Sequence, residues 1–407
     1  MKNDFLFKQK KSVLLFFSLM SAVTLSASNI TAYFGDRLLQ RTVIIDVNDM
    51  SFIKDIVTDG EGHYSVNVAG DLPKVYVDTR KSNYLEVIDT NTNTYQKKII
   101  LPHKVRSADA YNPFLRLQLV SASDKPMASL IDIDTDTVIA SVGDNTVYPP
   151  NGDYGGGNAT GHPFWLTKRK FVILDRPNRK IHIYKVERKN NGKWKVKHLS
   201  SKKTPTAIHH MIKGKKENTF FALAEGSPTN NIAPALIKYK LKGKKLIKKS
   251  KVFISKINIS NLGAHHMDLH PNGKIMYIGS TEGNMYIIKI SKRKMKVIGS
   301  IAVGKGAGHT TFIPERNIAI VTNHKDTFLS VIDTTHHTLI KNIEVSGPQI
   351  NNAILQSHTS FIHPNRNYFY SFATDNGIFY EVDLNSLSVT RTLDIEGTPL
   401  QGVFINN

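Results

Sequence analysis

The sequence predicts an all-β fold of the β-propeller class, and three observations support this prediction. A strand-like segment that ends in a polar residue recurs along the chain, as at residues 43–46 (VIID) and 330–333 (SVID). The copies are 43 to 55 residues apart, a period typical of four-stranded blades. No window shows sustained helical periodicity. The eight landmark positions are Asp46, Asp89, Asp132, Lys185, Lys240, Lys289, Asp333 and Asp383.

Eight landmarks predict eight blades, and seven is the alternative if one early unit is miscounted. The two ends of the sequence are complementary. Residues 31–34 have the pattern of the second strand of a blade, whereas residues 399–404 have that of an unpaired first strand. Joining them would complete the first blade and leave no open sheet edge. We therefore expect a single propeller domain over residues 29–407, closed by its terminal strands.

The N-terminal segment has the pattern of an export signal. Three lysines between residues 8 and 11 precede an apolar run at 12–27, and small residues occupy 26–28. The run is shorter than the roughly 20 residues of a membrane-spanning helix. We expect residues 1–28 to be a signal peptide and the protein to be periplasmic or secreted, with an uncleaved anchor as the alternative.

The chain contains no cysteine. Its absence excludes disulfides, thiolate zinc sites, iron–sulfur clusters and covalently attached c-type haem. It also excludes the thiolate copper centres that transfer electrons in other proteins. Redox chemistry in this protein would therefore need a bound cofactor or an external electron-transfer partner.

The net charge of +21 comes largely from lysine-rich stretches such as residues 189–203 and 238–251. These stretches lack interleaved aromatic residues and fall where outer strands and turns are expected. We interpret them as solvated outer faces and predict no nucleic-acid partner. The alternative is attraction to an acidic partner, an anionic substrate or a membrane surface.

Histidines recur at or near the start of the first, innermost strand in six of the eight predicted blades. Imidazoles that converge near one axis each need partners for their ring nitrogens, and a metal ion satisfies several at once. A set of histidines without thiolate or carboxylate in the same register favours copper, or haem with one axial histidine. The alternative is a polar, water-filled channel. The predicted metal ligands are His63, His162, His209, His210, His265, His266, His309 and His358.

Loops between the second and third strands of a blade reach the same face as the channel mouth. They supply candidate acid–base and anion-orienting groups for a small-molecule substrate, of which we select His324, Glu282 and Arg80. His324 is the first choice because its loop follows the blade that supplies His309. Six other histidines fall away from the axis and are predicted to be structural or exposed: His182, His198, His270, His336, His337 and His363.

The repeat text, a Val-Ile-Asp-Thr pattern followed by Asn-Thr or Thr-His turns, resembles bacterial YVTN or surface-layer-type propellers over about residues 31–407. The predicted ligands, from His63 to His358, give a narrower resemblance to the propellers of nitrous oxide reductase and thiocyanate dehydrogenase. That resemblance implies a multinuclear copper cluster held by inner-strand histidines. Those enzymes look seven-bladed, however, and this sequence lacks both the N-terminal double-histidine contribution of nitrous oxide reductase and an electron-entry copper domain. Cytochrome d1-type domains, which are eight-bladed and bind haem d1, are the second resemblance.

Three hypotheses follow from the sequence. The first is an exported, copper-dependent oxidoreductase that acts on a small molecule and exchanges electrons with an external partner. The second is a propeller that binds haem d1. The third is a non-enzymatic binding or scaffold propeller of the cell envelope.

Overall fold

The computed structural model describes residues 29–149, 159–227, 229–255 and 264–406, so the predicted signal peptide at 1–28 lies outside the described residues. The described part contains 32 β-strands, two single-turn 3-10 helices and no α-helix. The predicted all-β class is therefore confirmed. Within these ranges, no helix has the length and apolarity needed to cross a membrane.

The strands are short, and most have six to eight residues. In the first half of the chain they are β1 (Ile30–Asp36), β2 (Arg41–Asp46), β3 (Ser51–Val57), β4 (His63–Val68), β5 (Lys74–Thr79), β6 (Tyr84–Asp89), β7 (Thr94–Ile100), β8 (Val105–Asn112), β9 (Leu117–Ala122), β10 (Met127–Asp132), β11 (Thr137–Gly143), β12 (Phe164–Thr167), β13 (Lys170–Asp175), β14 (Lys180–Arg188), β15 (Trp194–Lys203) and β16 (Ile208–Lys213).

The second half of the chain continues the same four-strand rhythm, and the two 3-10 turns lie within it at Pro314–Arg316 and Thr374–Asn376. Its strands are β17 (Thr219–Ala224), β18 (Ala235–Lys242), β19 (Lys245–Phe253), β20 (Ala264–Leu269), β21 (Ile275–Ser280), β22 (Asn284–Ile290), β23 (Met295–Ala302), β24 (Ala307–Ile313), β25 (Ile318–Asn323), β26 (Phe328–Asp333), β27 (Thr338–Glu344), β28 (Phe361–Ile362), β29 (Tyr368–Ala373), β30 (Ile378–Asp383), β31 (Ser388–Asp394) and β32 (Pro399–Asn406).

The strands form six four-stranded sheets and one sheet of eight strands. Each four-stranded sheet is an antiparallel meander of four consecutive strands, beginning with β8–β11. The larger sheet has the order β3-β2-β1-β32-β4-β5-β6-β7, so the predicted pairing of the terminal strands is present, with β32 antiparallel to β1. A single parallel residue pair, Gln401–Ser65, joins the two halves of this sheet. The number of blades and the closure of a ring therefore stay predictions.

Hydrophobic clusters lie between neighbouring sheets and hold them face to face. One of them joins the N-terminal strands to the last four-stranded sheet, where the ring centroids of Phe34 and Phe372 are 4.7 Å apart. Ile30 and Phe379 are fully buried in the same cluster. Because these aromatic side chains lose nearly all their contact with water, the apolar faces of the strands account for much of the packing energy.

The repeated aspartate is a turn-forming residue. The Oδ1 atom of Asp46 accepts the backbone N–H groups of Asn48 and Asp49 at 2.9 and 3.0 Å. The same pair of bonds forms at Asp89 and at Asp383. A carboxylate that accepts backbone N–H groups two and three residues ahead stabilises a tight turn. The repeated aspartate thus marks and stabilises the turn between the third and fourth strands.

Candidate metal centre

The innermost strands are irregular where the predicted ligands lie. The pairing register of β16 shifts across His209–His210, and that of β24 shifts across Gly308–His309. In a regular strand, successive side chains point to opposite faces. A β-bulge adds one residue and turns side chains toward the same side. Both His209 and His210 consequently line the same cavity.

Seven imidazole rings form an unbroken series of contacts, which we call the histidine arc. Ring centroids are 5.0 Å apart for His162–His209, 5.9 Å for His209–His266 and 3.7 Å for His266–His309. The series continues from His309 to His358 at 5.9 Å. Four members lie in strands of three different sheets, and the other three lie in connecting segments. The members of the arc are His162, His209, His210, His266, His309, His324 and His358.

Three members of the arc are close enough to share one ion. Nitrogen atoms of His266, His324 and His358 all lie within 4.8 Å of one another. The rings of His324 and His358 are stacked, with centroids 4.3 Å apart. A metal ion about 2.1 Å from each nitrogen needs those nitrogens no more than about 4.2 Å apart, so small side-chain rotations suffice. This donor set suits a first-row transition metal.

Hydrogen bonds set the tautomers of two arc members. The Nδ1–H group of His324 donates to the carbonyl oxygen of Gln356 at 2.8 Å, and that of His162 donates to Oδ2 of Asp109 at 2.7 Å. A carbonyl or carboxylate oxygen only accepts, so Nδ1 carries a proton in both rings, and the lone pair of a neutral ring is then on Nε2. This is the arrangement of metal-binding histidines, whose second nitrogen donates to an oxygen acceptor.

Burial keeps two imidazoles of the arc neutral, and the neutral form is the one that binds metals. It lowers the pKa of His324 to about 4, against the opposing hydrogen bond to Gln356. Burial also lowers the pKa of His210 to about 4, with the positive field of His162 adding to the effect. Both imidazoles are therefore neutral at pH 7. Nδ1 of His210 is buried and has no hydrogen-bond partner among the described residues, as expected of a potential ligand.

His209 is supported by a buried ion pair. Arg176 binds Glu225 through two hydrogen bonds, from Nε at 2.9 Å and from Nη2 at 3.0 Å. Oε1 of Glu225 is in turn 3.6 Å from Nδ1 of His209. The carboxylate thus lies between a guanidinium and the imidazole of His209.

Two cavities adjoin the arc. The histidine cavity, of about 380 Å³, is lined by the arc members other than His324. The loop cavity, of about 550 Å³, is lined by His324 and by the segment 351–355. His358 and Tyr64 line both cavities, so the arc lies between two spaces that a small molecule could occupy.

The arc contains most of the ligands predicted from the sequence: His162, His209, His210, His266, His309 and His358. His324, predicted as an acid–base residue, is itself a member of the arc. His265 lies in β20, but its side chain is outside the described residues.

The structure does not bring His63 into the arc. This side chain is fully buried, and its Nε2 atom is 3.1 Å from both Oε2 of Glu86 and Oγ1 of Thr58. The register of β4 shifts between His63 and Ser65, and the bulge places Tyr64 in the cavities. The register shift of one residue therefore explains why Tyr64, and not the predicted His63, lines the cavities.

Of the three predicted acid–base residues, two lie beside the arc and one does not. The guanidinium of Arg80 lies over the ring of Tyr64, and Arg80 lines the histidine cavity. Glu282 lines neither of the two cavities, and its Oε1 atom accepts the hydroxyl of Tyr286 at 2.9 Å. Arg80 and His324 are therefore beside the candidate site, whereas Glu282 is not brought to it.

Tyr64, Arg106 and Asp109 also line the histidine cavity and were not predicted. Arg106 and Asp109 lie at two register shifts in β8, where regular alternation fails. The available signal was the polar run RSAD at residues 106–109 inside a strand expected to be innermost.

The histidines predicted to be structural have other contacts. Nδ1 of His337 is 2.6 Å from the hydroxyl oxygen of Tyr277, and Nε2 of His182 is 3.1 Å from Oδ2 of Asp175. His336 is largely exposed, at 73% of its side chain. Within the described ranges, none of the six has a ring contact with the arc.

Comparison with solved structures supports the fold assignment. No protein-family model and no curated protein sequence matches this chain. It is similar to dihydro-haem d1 dehydrogenase NirN in complex with DHE, with a TM-score of 0.65 and 12% identity over 93% of this chain and 75% of that one. It is also similar to Sqt1 of Saccharomyces cerevisiae (TM-score 0.64, 8% identity, 90% and 88% covered). A third is apo AztD from Citrobacter koseri (0.56, 10%, 93% and 98%).

These likenesses, together with the series of four-stranded sheets, define the fold as a β-propeller. At such low identity they bear on the fold alone. The narrower resemblances to YVTN and copper propellers stay predictions.

Proposed function

We propose that this chain is an exported metalloprotein whose histidine arc holds a transition metal, with copper as the preferred ion, and that it acts as a redox enzyme on a small molecule. The observation that carries the proposal is the contact series of seven imidazoles, three of which present nitrogens within 4.8 Å of one another. The neutral ring of His324 and the oxygen acceptors bound to Nδ1 of His162 and His324 support the same conclusion.

The chemistry of the donor set favours copper among the candidate ions. Imidazole nitrogen binds copper, zinc, iron and nickel, and divalent copper binds such sites most tightly in the first-row series. Bound copper would supply the one-electron chemistry. Because the sequence has no cysteine for an internal thiolate relay, electrons would come from an external partner. The substrate would reach the arc through the loop cavity or the histidine cavity.

We also propose that eight blades close into a ring around the arc. The two halves of the eight-stranded sheet count as two blades, since one residue pair joins them. Eight hydrophobic clusters support this arrangement, because each spans two neighbouring four-strand units. They include the cluster that joins the last unit to the first.

Metal analysis of the full chain purified from copper-supplemented cells tests the metal proposal. We expect at least one copper per chain in the natural protein and loss of most of it in the His266→Ala/His358→Ala variant. The matched control is His336→Ala/His363→Ala, which removes two histidines outside the arc and should keep its metal.

Less than one metal ion per chain, unchanged by the arc substitutions, would overturn the proposal. Stoichiometric zinc that disappears in the arc variant would retain the metal site but reject copper and its redox role.

Haem d1 is the second candidate ligand. The observation that favours it is the structural likeness to NirN in complex with DHE, at a TM-score of 0.65. His358, which lines both cavities, is the residue that would hold the haem iron. Titration of the metal-free protein with haem d1, followed by visible absorption, tests this candidate. A Soret shift that vanishes in His358→Ala supports it, and an unchanged spectrum rejects it.

Export and surface contacts are part of the proposal. Export follows from the expected signal peptide, and fractionation of cells that carry the tagged full chain should place the protein outside the cytoplasm.

The exposed lysines of β19, including Lys245, Lys248 and Lys249, form a basic outer edge suited to an anionic membrane surface. Sedimentation with phosphatidylglycerol vesicles should show binding at low salt that falls at high salt. A pure scaffold would instead keep its function after the arc is replaced.

A further inference from the structure

Two arginines with unsatisfied donors line the histidine cavity together with the arc. Arg106 is only 9% exposed, and its Nη1 atom is buried without a hydrogen-bond acceptor in the described part of the chain. Nε of Arg80 is also buried and has no hydrogen-bond acceptor among the described residues. Both residues line the cavity.

A buried guanidinium without an acceptor is costly, because its charge has lost water and gained no compensating bond. Neither of the two carboxylates near Arg106, those of Asp109 and Asp78, accepts a hydrogen bond from its Nη1 atom. Oδ2 of Asp109 accepts from His162 at 2.7 Å, and Oδ2 of Asp78 accepts the hydroxyl of Ser65 at 2.6 Å, whereas Oδ1 of Asp78 is buried without a partner among the described residues. Arginine stays charged even when buried, so the unmet donors call for an acceptor from a ligand.

The charge of the cavity points to the kind of ligand. Arg80, Arg106 and Lys213 bring three positive charges, and Asp109 brings one negative charge that is already paired with His162. The ring of Tyr64 lies against the guanidinium of Arg80 and supports its plane. The cavity therefore combines a positive field with planar donors held in place.

We propose that Arg106 and Arg80 form an oxyanion-binding site in the histidine cavity, beside the arc. Two oxygens on one atom, as in a carboxylate or a phosphate, match the fork of a guanidinium. A volume of about 380 Å³ lies within the usual range for small-molecule sites. The proposal does not require a metal on the arc, so its failure and that of the metal proposal are distinguishable.

Calorimetric titration of the chelator-treated full chain tests the site, with inorganic phosphate and benzoate as separate probes. We expect at least one probe to bind the natural protein and to bind Arg106→Gln about tenfold more weakly or worse. Arg106→Lys keeps the charge but lacks the fork, so it should bind with intermediate affinity. The control is Arg366→Gln, which breaks an exposed ion pair with Glu315 and should bind normally.

A second readout separates binding from a structural role. Without a probe, Arg106→Gln should melt at the same temperature as the natural protein or higher, because it removes an unsatisfied buried charge. The same concentration of probe should raise the melting temperature of the natural protein and of the Arg366→Gln control, and should raise that of Arg106→Gln less. Binding of phosphate alone identifies a small inorganic oxyanion, and binding of benzoate alone identifies an organic carboxylate. Absence of binding by both probes, equal binding by Arg106→Gln, or a lower melting temperature of that variant without probe would overturn the proposal.

Discussion

The two sides of the histidine cavity are built from the same backbone device but present different chemistry. On one side, bulges and strand starts present imidazoles, among them His209, His210 and His309. On the other side, bulges in β4 and β8 present Tyr64 and Arg106. One side thus carries imidazole nitrogen donors, and the other carries fixed positive charge. The comparison teaches that the bulge brings a side chain to the cavity, whereas the residue type determines which ligand it can bind.

One hydrogen bond joins the two sides. Asp109 lies on the arginine side and accepts from His162 of the arc at 2.7 Å. Burial alone would raise the pKa of Asp109, but His162, the Ser107 hydroxyl and Arg106 together outweigh burial and hold the pKa below its ordinary value. Asp109 therefore acts as a charged acceptor that orients an arc nitrogen.

The largest effect on stability is expected at the buried ion pair of Arg176 and Glu225, next to His209. Glu225→Ala would leave Arg176 in a buried position without its acceptor, and we expect the free energy of unfolding to fall by about 3–5 kcal/mol in urea titrations. Arg176→Met/Glu225→Leu removes both charges and should recover most of that loss. An unchanged urea midpoint in Glu225→Ala would show that this pair does not stabilise the imidazole side.

A smaller effect is expected where the two sides meet. Asp109→Asn keeps the shape of the side chain but weakens the acceptor for His162, so metal affinity should fall by about 10–100-fold. Competition with a chromophoric chelator measures the affinity. Asp134→Asn, which alters an exposed ion pair with Arg116, serves as the control and should leave the affinity unchanged. Equal affinities in both variants would separate Asp109 from the metal site.

The arginine side should also show a pH dependence of stability. Burial raises the pKa of Asp78 to about 7, so the folded chain keeps a proton that the unfolded chain loses near pH 4. Stability should fall as pH rises from about 4 to about 7, by up to about 1.4 kcal/mol per pH unit from this group. Asp78→Asn should flatten that slope in urea titrations across the window. A variant with the slope of the natural protein would assign the pH dependence to other groups.

The smallest effect is expected outside both sides. His336 is largely exposed and lies in the turn headed by Asp333. His336→Ala should change the free energy of unfolding by less than about 0.5 kcal/mol. Its metal content should equal that of the natural protein. A loss of metal would mean that the arc does not define the binding site.

Much of the candidate site could be predicted because the repeat places equivalent residues at equivalent depths. His162, His209, His266, His309 and His358 were expected to converge, and their rings do form one series. The failures have a common cause. Alternation along a strand predicts which face a side chain takes, but a bulge shifts the phase by one residue. His63, Tyr64 and Asp109 all lie at or next to such shifts.

The amino-acid order alone specified the strands, the aspartate turns and the recurrence of histidine, because each depends on contacts within a few residues. Which side chains meet across the cavity depended on packing between sheets far apart in the chain. Asp109 and His162 are 53 residues apart, and Arg176 and Glu225 are 49 apart. Such pairs arise only when the sheets pack together and bulges turn particular side chains inward, and no local pattern encodes that geometry.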